Sequence, residues 1–341
     1  MPRIGVMTGG GDSSAINAAL AAIVKRADGY GMEVVGLRRG WAGLLEKEVV
    51  PLNLDALDEH VHAGGTHIFT SRTNLAQIEG GLEKAAANLW KLGLDFLIAI
   101  GGDDTLGVAH KLCALAAPAV GIPQTIDNDI GETDFSIGFA TAVEVATEAL
   151  RRLHTPNYSH QQDMLVELMG RDAGWIALYA GLAGDAHYLC VPEVPLDIDD
   201  LAAHMKARRD AGKPYTLVAV SEGITVGGKA SAGEADAFGH AKPGGIVFNL
   251  AEAIQERSGV KPRAVALSYL VRGGPPSAWD TVLATRMGAY AVDLLRQGKF
   301  DQMVAARTGE IVAVPLERAL ARNRTVPVEL YEVAQSLCKA I

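Results

Sequence analysis

The chain has 341 residues, a formal net charge of −9 and a hydrophobic fraction of 49 %. That length exceeds one typical core and points to two domains. The acidic balance argues against a broad basic face for nucleic acid, so any anionic substrate must be held by local Arg, helix N-termini or a metal ion. Cys113, Cys190 and Cys338 are odd in number and far apart, which indicates neither a disulfide framework nor a CxxC metal site. Buried thiols in a reducing compartment are expected instead. The first residues lack the apolar stretch of a signal peptide, and no apolar run reaches the length of a membrane span. The expected location is cytoplasmic.

Residues 3–8 (RIGVMT) read as a strand running into Gly9-Gly10-Gly11-Asp12, followed by a small-residue helix over 15–25. A strand is expected over 33–37, a helix over 82–92, and a strand over 96–100 ending in Gly101-Gly102-Asp103-Asp104-Thr105. A helix over 106–115 and a short strand over 119–122 lead to Gln124-Thr125-Ile126-Asp127-Asn128-Asp129. After a helical stretch over 140–153, strands are expected over 164–168, 188–191, 216–221 and 264–270. They end in Met169-Gly170-Arg171, Pro192-Glu193, Glu222-Gly223 and Arg272-Gly273-Gly274. The Gly/Ala-rich stretch 227–245 reads as an inserted loop or hairpin. Alternating strands and helices imply mostly parallel sheets. Ligands then lie beyond the C-terminal strand ends, and the three polar loops of the first series should converge there.

Each motif has a chemical reading and a plain one. Glycines in Gly9–Asp12 let backbone N–H groups approach a phosphate at a helix start; an ordinary turn is the alternative. Gly101–Thr105 adds a carboxylate able to hold Mg²⁺ on phosphoryl oxygens; Asp and Thr as helix caps are the alternative. In 125–129, Asp127 and Asp129 share a side if the segment is extended, and one could take a proton from a hydroxyl. An Asx-rich turn is the alternative there.

Taken in order, GGGD, GGDDT, TIDND, Met169-Gly170-Arg171 and Leu270-Val271-Arg272-Gly273-Gly274 resemble the 6-phosphofructokinase family over nearly the whole chain. Ser71-Arg72-Thr73-Asn74, Ser136-Ile137-Gly138-Phe139, Pro192-Glu193-Val194 and Asp280 with Arg286-Met287-Gly288 fit as well. The resemblance implies an α/β fold of two Rossmann-like three-layer domains with mostly parallel sheets and the active site in the cleft between them. Residues 1–138 plus about 273–325 would form the phosphate-donor domain, and 139–272 plus about 326–341 the sugar-phosphate domain.

The resemblance also implies roles. Gly11, Arg72, Gly102, Asp104, Thr105 and Gln124 would meet the donor phosphates, and Asp103 would hold Mg²⁺. Asp127 would be the general base on the sugar 1-hydroxyl, with Thr125 and Asp129 beside it, and Arg171 would neutralise the transferring group. Met169, Gly170, Glu222, Arg263, Tyr269, Arg272 and Gln162 would bind the sugar phosphate. In the family, the positions of Gln162 and Arg263 serve a neighbouring subunit, which implies a homodimer or homotetramer. Phosphoryl transfer needs positioning and charge neutralisation more than covalent chemistry, so this inventory suffices.

Asp104 stands where ATP-using members have Gly, and GGDD resembles the pyrophosphate-using members. A carboxylate about 4 Å from an α-phosphate charge is repelled by about 4 kcal/mol at an effective dielectric near 20, roughly a thousandfold in affinity. Pyrophosphate has no group there. Gln124 occupies the place of a Lys in pyrophosphate-users and a Gly in ATP-users, and Gln162 that of an Arg that reaches the sugar 6-phosphate. Ser14-Ala15 replaces the usual Pro-Gly pair. Ala21, His154 and His187 depart from the basic effector site of bacterial ATP-users, and only Lys25 keeps its charge, so no strong nucleotide allostery is expected.

The expected reaction is reversible, Mg²⁺-dependent transfer from pyrophosphate to fructose 6-phosphate. The alternatives are ATP as donor, an acceptor such as sedoheptulose 7-phosphate or an unphosphorylated polyol, and a catalytically weak regulatory subunit. No nucleic-acid or membrane partner is expected.

Overall fold

A computed structural model describes residues 1–228 and 244–340. The glycine-rich loop expected over 227–245 therefore falls outside the described residues except at its two ends. In chain order the strands are β1 (Arg3–Thr8), β2 (Glu33–Leu37), β3 (Val49–Pro51), β4 (Phe96–Gly101), β5 (Ala119–Pro123), β6 (Met164–Leu168), β7 (Tyr188–Cys190), β8 (Leu217–Ser221), β9 (Arg263–Ala266), β10 (Gln302–Arg307) and β11 (Glu310–Pro315). The chain divides into two compact units, Met1–Thr141 with Arg272–Arg324, and Ala142–Val271 with Thr325–Ile341.

The first unit holds the sheet β11-β10-β5-β4-β1-β2-β3. Its interior strands are parallel, while β3 and β11 run antiparallel at the edges. β1, β4 and β5 are nearly unbroken apolar runs because both sheet faces are covered. Helices Ile16–Asp28 and Ala278–Arg296 supply Leu20, Ile23, Met287 and Leu295 to one core. Helices Trp41–Glu46, Gly81–Lys91 and Asp103–Cys113 supply Leu44, Leu89, Leu106 and Leu112 to the other. The result is three layers.

Two local expectations are corrected here. The helix expected over 106–115 begins at Asp103, so Asp103, Asp104 and Thr105 form its first turn instead of a loop. Gly102 caps it in extended backbone, and two carboxylates at a helix N-terminus complement the macrodipole. The β10–β11 hairpin, absent from the expected elements, extends the sheet beyond β5.

The second unit holds a four-stranded parallel sheet, β7-β8-β6-β9. Leu165, Val218 and Val220 pack with Leu201 and Met205 of helix Ile198–Asp210 and with Leu250 and Ile254 of helix Ile246–Ser258. The strand expected over 264–270 stops at Ala266, where its pairing with β6 ends at Glu167. Ser268 then takes φ 45°, and Ser268–Arg272 closes into a 3₁₀ turn.

Two positions carry measurable strain or charge cost. Ala15 is fully buried at φ 70°, ψ −2°, the left-handed region, immediately before the first helix. A Cβ there costs about 1–2 kcal/mol. Ala15→Gly is therefore expected to raise unfolding free energy by about 1 kcal/mol, read from urea denaturation. In the second unit, burial pushes the His187 imidazole down to about 3, helped by nearby Arg208 and His154. Its Nδ1 accepts the Leu217 N–H at 2.9 Å, a bond only the unprotonated nitrogen can make. The folded value lies below the ordinary 6.5, so this stabilisation is full above 6.5 and is lost as pH falls toward about 3. His187→Gln should flatten the loss of stability across that window; an unchanged pH slope would refute the assignment.

Candidate active site

Because β1 lies between β2 and β4, and β5 beside β4, three loops leave adjacent parallel strands at the same sheet edge. Backbone hydrogen bonds fasten them together. Gly9 N–H donates to Ile100 O at 3.0 Å, and Gln124 N–H donates to Gly101 O at 3.0 Å. Thr105 is wedged between the first two loops: a Cβ on Gly9 would lie 2.6 Å from its Oγ1, and a Cβ on Gly101 would lie 2.6 Å from its Cβ. Glycine is required at both positions by this close approach. Thr105 therefore sits in the wall, nearly fully buried.

A fourth segment closes the group. Gly10 N–H donates to Ser71 O at 3.1 Å, and Thr70 Oγ1 donates to Gly10 O at 2.8 Å. Arg72, the next residue, is thereby held beside the first glycine loop. Arg272 reaches the same loop, with Nη1 donating to Asp12 O at 3.0 Å. Its Nε is buried and has no hydrogen-bond partner among the described residues. Gly11, Arg72, Gly102, Asp103, Asp104 and Gln124 thus all belong to this one loop cluster, along with Arg272.

Gln124 does more than line it. Its side chain is 1 % exposed, and Nε2 donates to Gly11 O at 3.2 Å and to Ser13 Oγ at 2.9 Å. It is a strut between the third loop and the first. Ser13 was not singled out from the sequence, and a hydroxyl receiving an amide 111 positions away leaves no local signal.

Residues 125–129 turn instead of extending, so Asp127 and Asp129 do not simply share a strand face. Asp127 N–H donates to Thr125 Oγ1 at 3.1 Å, and Asn128 takes φ 54°. Ser136 Oγ donates to Thr125 O at 2.7 Å, and Ser136 N–H donates to Asn128 Oδ1 at 2.9 Å. Arg324 N–H donates to Asp129 O at 2.7 Å. Asp127 is buried by this turn, while Thr125 and Asp129 stay partly exposed.

In the second unit, Met169–Arg171 follow β6, and Glu222-Gly223 follow its neighbour β8. Glu222 Oε1 accepts the N–H groups of Gly170 and Arg171, both at 3.1 Å. Arg171 has φ 48°. A Cβ on Gly223 would fall 1.8 Å from the Arg171 carbonyl oxygen, so only glycine fits. Gln162 and Arg263 lie at the opposite end of this sheet, before β6 and at the start of β9, where Arg263 Nε donates to Gln162 Oε1. About 15 Å of strand separates them from Met169–Arg171. Tyr269 stands in the 3₁₀ turn with 71 % of its surface exposed.

The strut can be tested without substrate. Gln124→Ala strips a donor from the buried Ser13 Oγ and the partly buried Gly11 O and should lower the first unit's stability by about 1–2 kcal/mol. Gln124→Glu should lower it further at neutral pH, because a carboxylate cannot donate to Gly11 O. Urea unfolding of both variants checks the order.

Known proteins resemble this chain over nearly its full length. The Phosphofructokinase family profile matches residues 3–295. A pyrophosphate–fructose 6-phosphate 1-phosphotransferase of Amycolatopsis methanolica is 48 % identical over 98 % of this chain and 98 % of its own. An ATP-dependent 6-phosphofructokinase 3 of Streptomyces coelicolor is 44 % identical over 98 % of this chain and 99 % of its own. In fold, a pyrophosphate-dependent phosphofructokinase structure from Marinobacter aquaeolei superposes with a TM-score of 0.82 at 23 % identity, covering 98 % of this chain and 92 % of that one. The chain belongs to the phosphofructokinase family.

Proposed function

We propose that this protein is a phosphotransferase that moves a phosphoryl group reversibly between pyrophosphate and the 1-hydroxyl of fructose 6-phosphate. The observation that carries the donor assignment is Asp104. Relatives named for pyrophosphate and for ATP are 48 % and 44 % identical, so overall similarity does not separate the donors. Asp104 sits in the first turn of the helix that opens on the glycine loops, partly exposed. A carboxylate there opposes the extra phosphate of a nucleotide and leaves pyrophosphate untouched.

Donor phosphates would lie on the Gly9–Gly11 and Gly101–Gly102 backbone, with Arg72 as counter-charge. Asp103 is partly exposed and has no hydrogen-bond or ion-pair partner among the described residues, which suits a hard cation. Mg²⁺ commonly takes one or two carboxylates and completes its shell with water and phosphate oxygens. Among the described residues no three acidic, His or Cys side chains form a ready-made cage, and an ion held this way needs none. When bound, Mg²⁺ would neutralise charge on the donor. Asp127 would receive the proton of the sugar 1-hydroxyl, and Arg171 would offset charge on the group in transit. Met169, Gly170, Glu222 and Arg272 would orient the acceptor. Gln162, Arg263 and Tyr269 would serve the acceptor site too, the first two across an interface in a homodimer or homotetramer.

No described helix is long and apolar enough to cross a membrane. The test is a donor-by-acceptor rate matrix: pyrophosphate, ATP and ADP against several sugar phosphates and free sugars with Mg²⁺. Turnover is expected with pyrophosphate and fructose 6-phosphate. Asp104→Gly should admit ATP with a gain in kcat/KM of up to about a thousandfold. Asp127→Ser should lower kcat by at least about a hundredfold. An Asp104→Gly enzyme with unchanged donor preference would refute the donor argument, and an Asp127→Ser enzyme at full rate would remove the base.

A further inference from the structure

Beside the first glycine loop, and outside every group assigned above, the first unit contains a cavity of about 380 Å³. Arg38, His60, His67, Thr66, Asn17 and Phe69 are among the residues that line it, and no carboxylate does. In a chain of net charge −9, a cavity with one arginine, two histidines and no acid is a local reversal of sign. The imidazoles of His60 and His67 lie with ring centroids 4.5 Å apart. The Arg38 guanidinium lies over the Phe69 ring at 4.7 Å, a contact that holds it without neutralising it. Among the described residues, the side chains of Arg38, His60 and His67 have neither a hydrogen-bond nor an ion-pair partner; it is the neighbouring Arg39 that pairs with Glu46 and Glu48.

The positive groups work against one another here. Burial lowers the His67 imidazole below its ordinary range, and His60 and then Arg38 lower it further. These are the charged groups that act on His67 from the 60–67 segment and from the chain after β2. The other walls, Asn17 of helix Ile16–Asp28 and Val50 of β3, are uncharged. Asn17 is already engaged, with Oδ1 accepting the His67 N–H at 2.8 Å and Nδ2 donating to Ala63 O at 3.3 Å, so the wall is rigid. Phe69 holds φ 58°, a backbone state that costs a bulky residue energy and that usually marks a place where something else is gained.

We propose that this cavity is a second anion site, built for a small phosphoryl dianion. Arg38 supplies a planar donor fork, and His60 and His67 supply ring N–H donors once protonated. Thr66 provides a hydroxyl already anchored to Thr8 Oγ1 at 3.1 Å. None of Ala21, Lys25, His154 or His187 lines the cavity. The site also touches the donor machinery, because the segment that walls it clasps the first loop: Gly65 N–H donates to Ser13 O at 3.2 Å, and Thr8 Oγ1 donates to Phe69 O at 2.8 Å.

The inference does not depend on which donor the enzyme uses, and it is tested at the histidines themselves. Imidazole signals of His60 and His67 are followed by NMR through a pH titration of the full chain, alone, with inorganic phosphate, and with glycerol 3-phosphate. A bound dianion favours the protonated rings, so both midpoints should rise by about one pH unit. By linkage, affinity for the dianion, after allowance for the anion's own protonation, should fall about tenfold from pH 6 to pH 8. A response to phosphate identifies the free ion as sufficient; a response to the ester alone identifies a phosphorylated metabolite. Arg38→Gln should abolish the shift, and His67→Gln should shrink the one remaining at His60, both with turnover unchanged in phosphate-free buffer. Midpoints indifferent to both anions, or a shift that survives Arg38→Gln, would overturn the proposal.

Discussion

The structure rests on the interlock of three loops at the end of one parallel sheet. Adjacent strands β1, β4 and β5 deliver Gly9, Gly101 and Gln124 to within backbone hydrogen-bond distance of one another's chains. Thr105 fills the gap that the two glycines leave, and the Gln124 amide crosses to the first loop. Backbone N–H groups at such an edge are useful to a phosphate only if they hold still without it. The bonds that occupy Gly9 N–H and Gly10 N–H fix the loop around the groups left for a ligand, so little ordering remains to be done when one arrives.

The second unit uses a different device for the same end. Glu167, Glu193 and Glu222 end or follow parallel strands, and each accepts backbone N–H groups. Glu167 takes those of Gly245 and Val247, Glu193 takes those of Gly174 and Val326, and Glu222 takes those of Gly170 and Arg171. In the first unit Asp280, fully buried, takes those of Gly138 and Thr141. A buried carboxylate is costly alone, but charge-assisted bonds to otherwise orphaned N–H groups are among the stronger ones available. Two of these carboxylates hold the first residues of a helix, where the macrodipole adds to the effect. These four acids therefore fix loop positions.

Much of this was readable from the chain. The apolar runs of β1, β2, β4 and β5 are short and continuous, and β1 and β4 run directly into glycine, so both the parallel sheet and the edge that carries the loops could be placed. The family resemblance supplied roles that no spacing could. What escaped has physical causes. The helix start at Asp103 was hidden because two acids after two glycines read equally as a loop. The end of β9 at Ala266 comes from the chain turning away at Ser268, while its partner β6 runs on to Leu168. Gln124 was recognised as an unusual residue facing phosphate, but its inward course depends on Gly11 O and Ser13 Oγ. Asp280 was visible as a motif residue, yet its task of holding Gly138 and Thr141 is purely three-dimensional.

The central claim, that the interlocked loops of the first unit form a pre-set phosphate cradle, is tested most directly by amide hydrogen exchange with and without Mg²⁺-pyrophosphate. Protection should increase at Gly11 and across the Gly101–Thr105 turn, with smaller changes in the supporting sheet and at Gly9 and Gly10, whose N–H groups already donate to Ile100 O and Ser71 O. Unchanged exchange in both glycine loops at saturating pyrophosphate, with protection appearing elsewhere, would contradict the account.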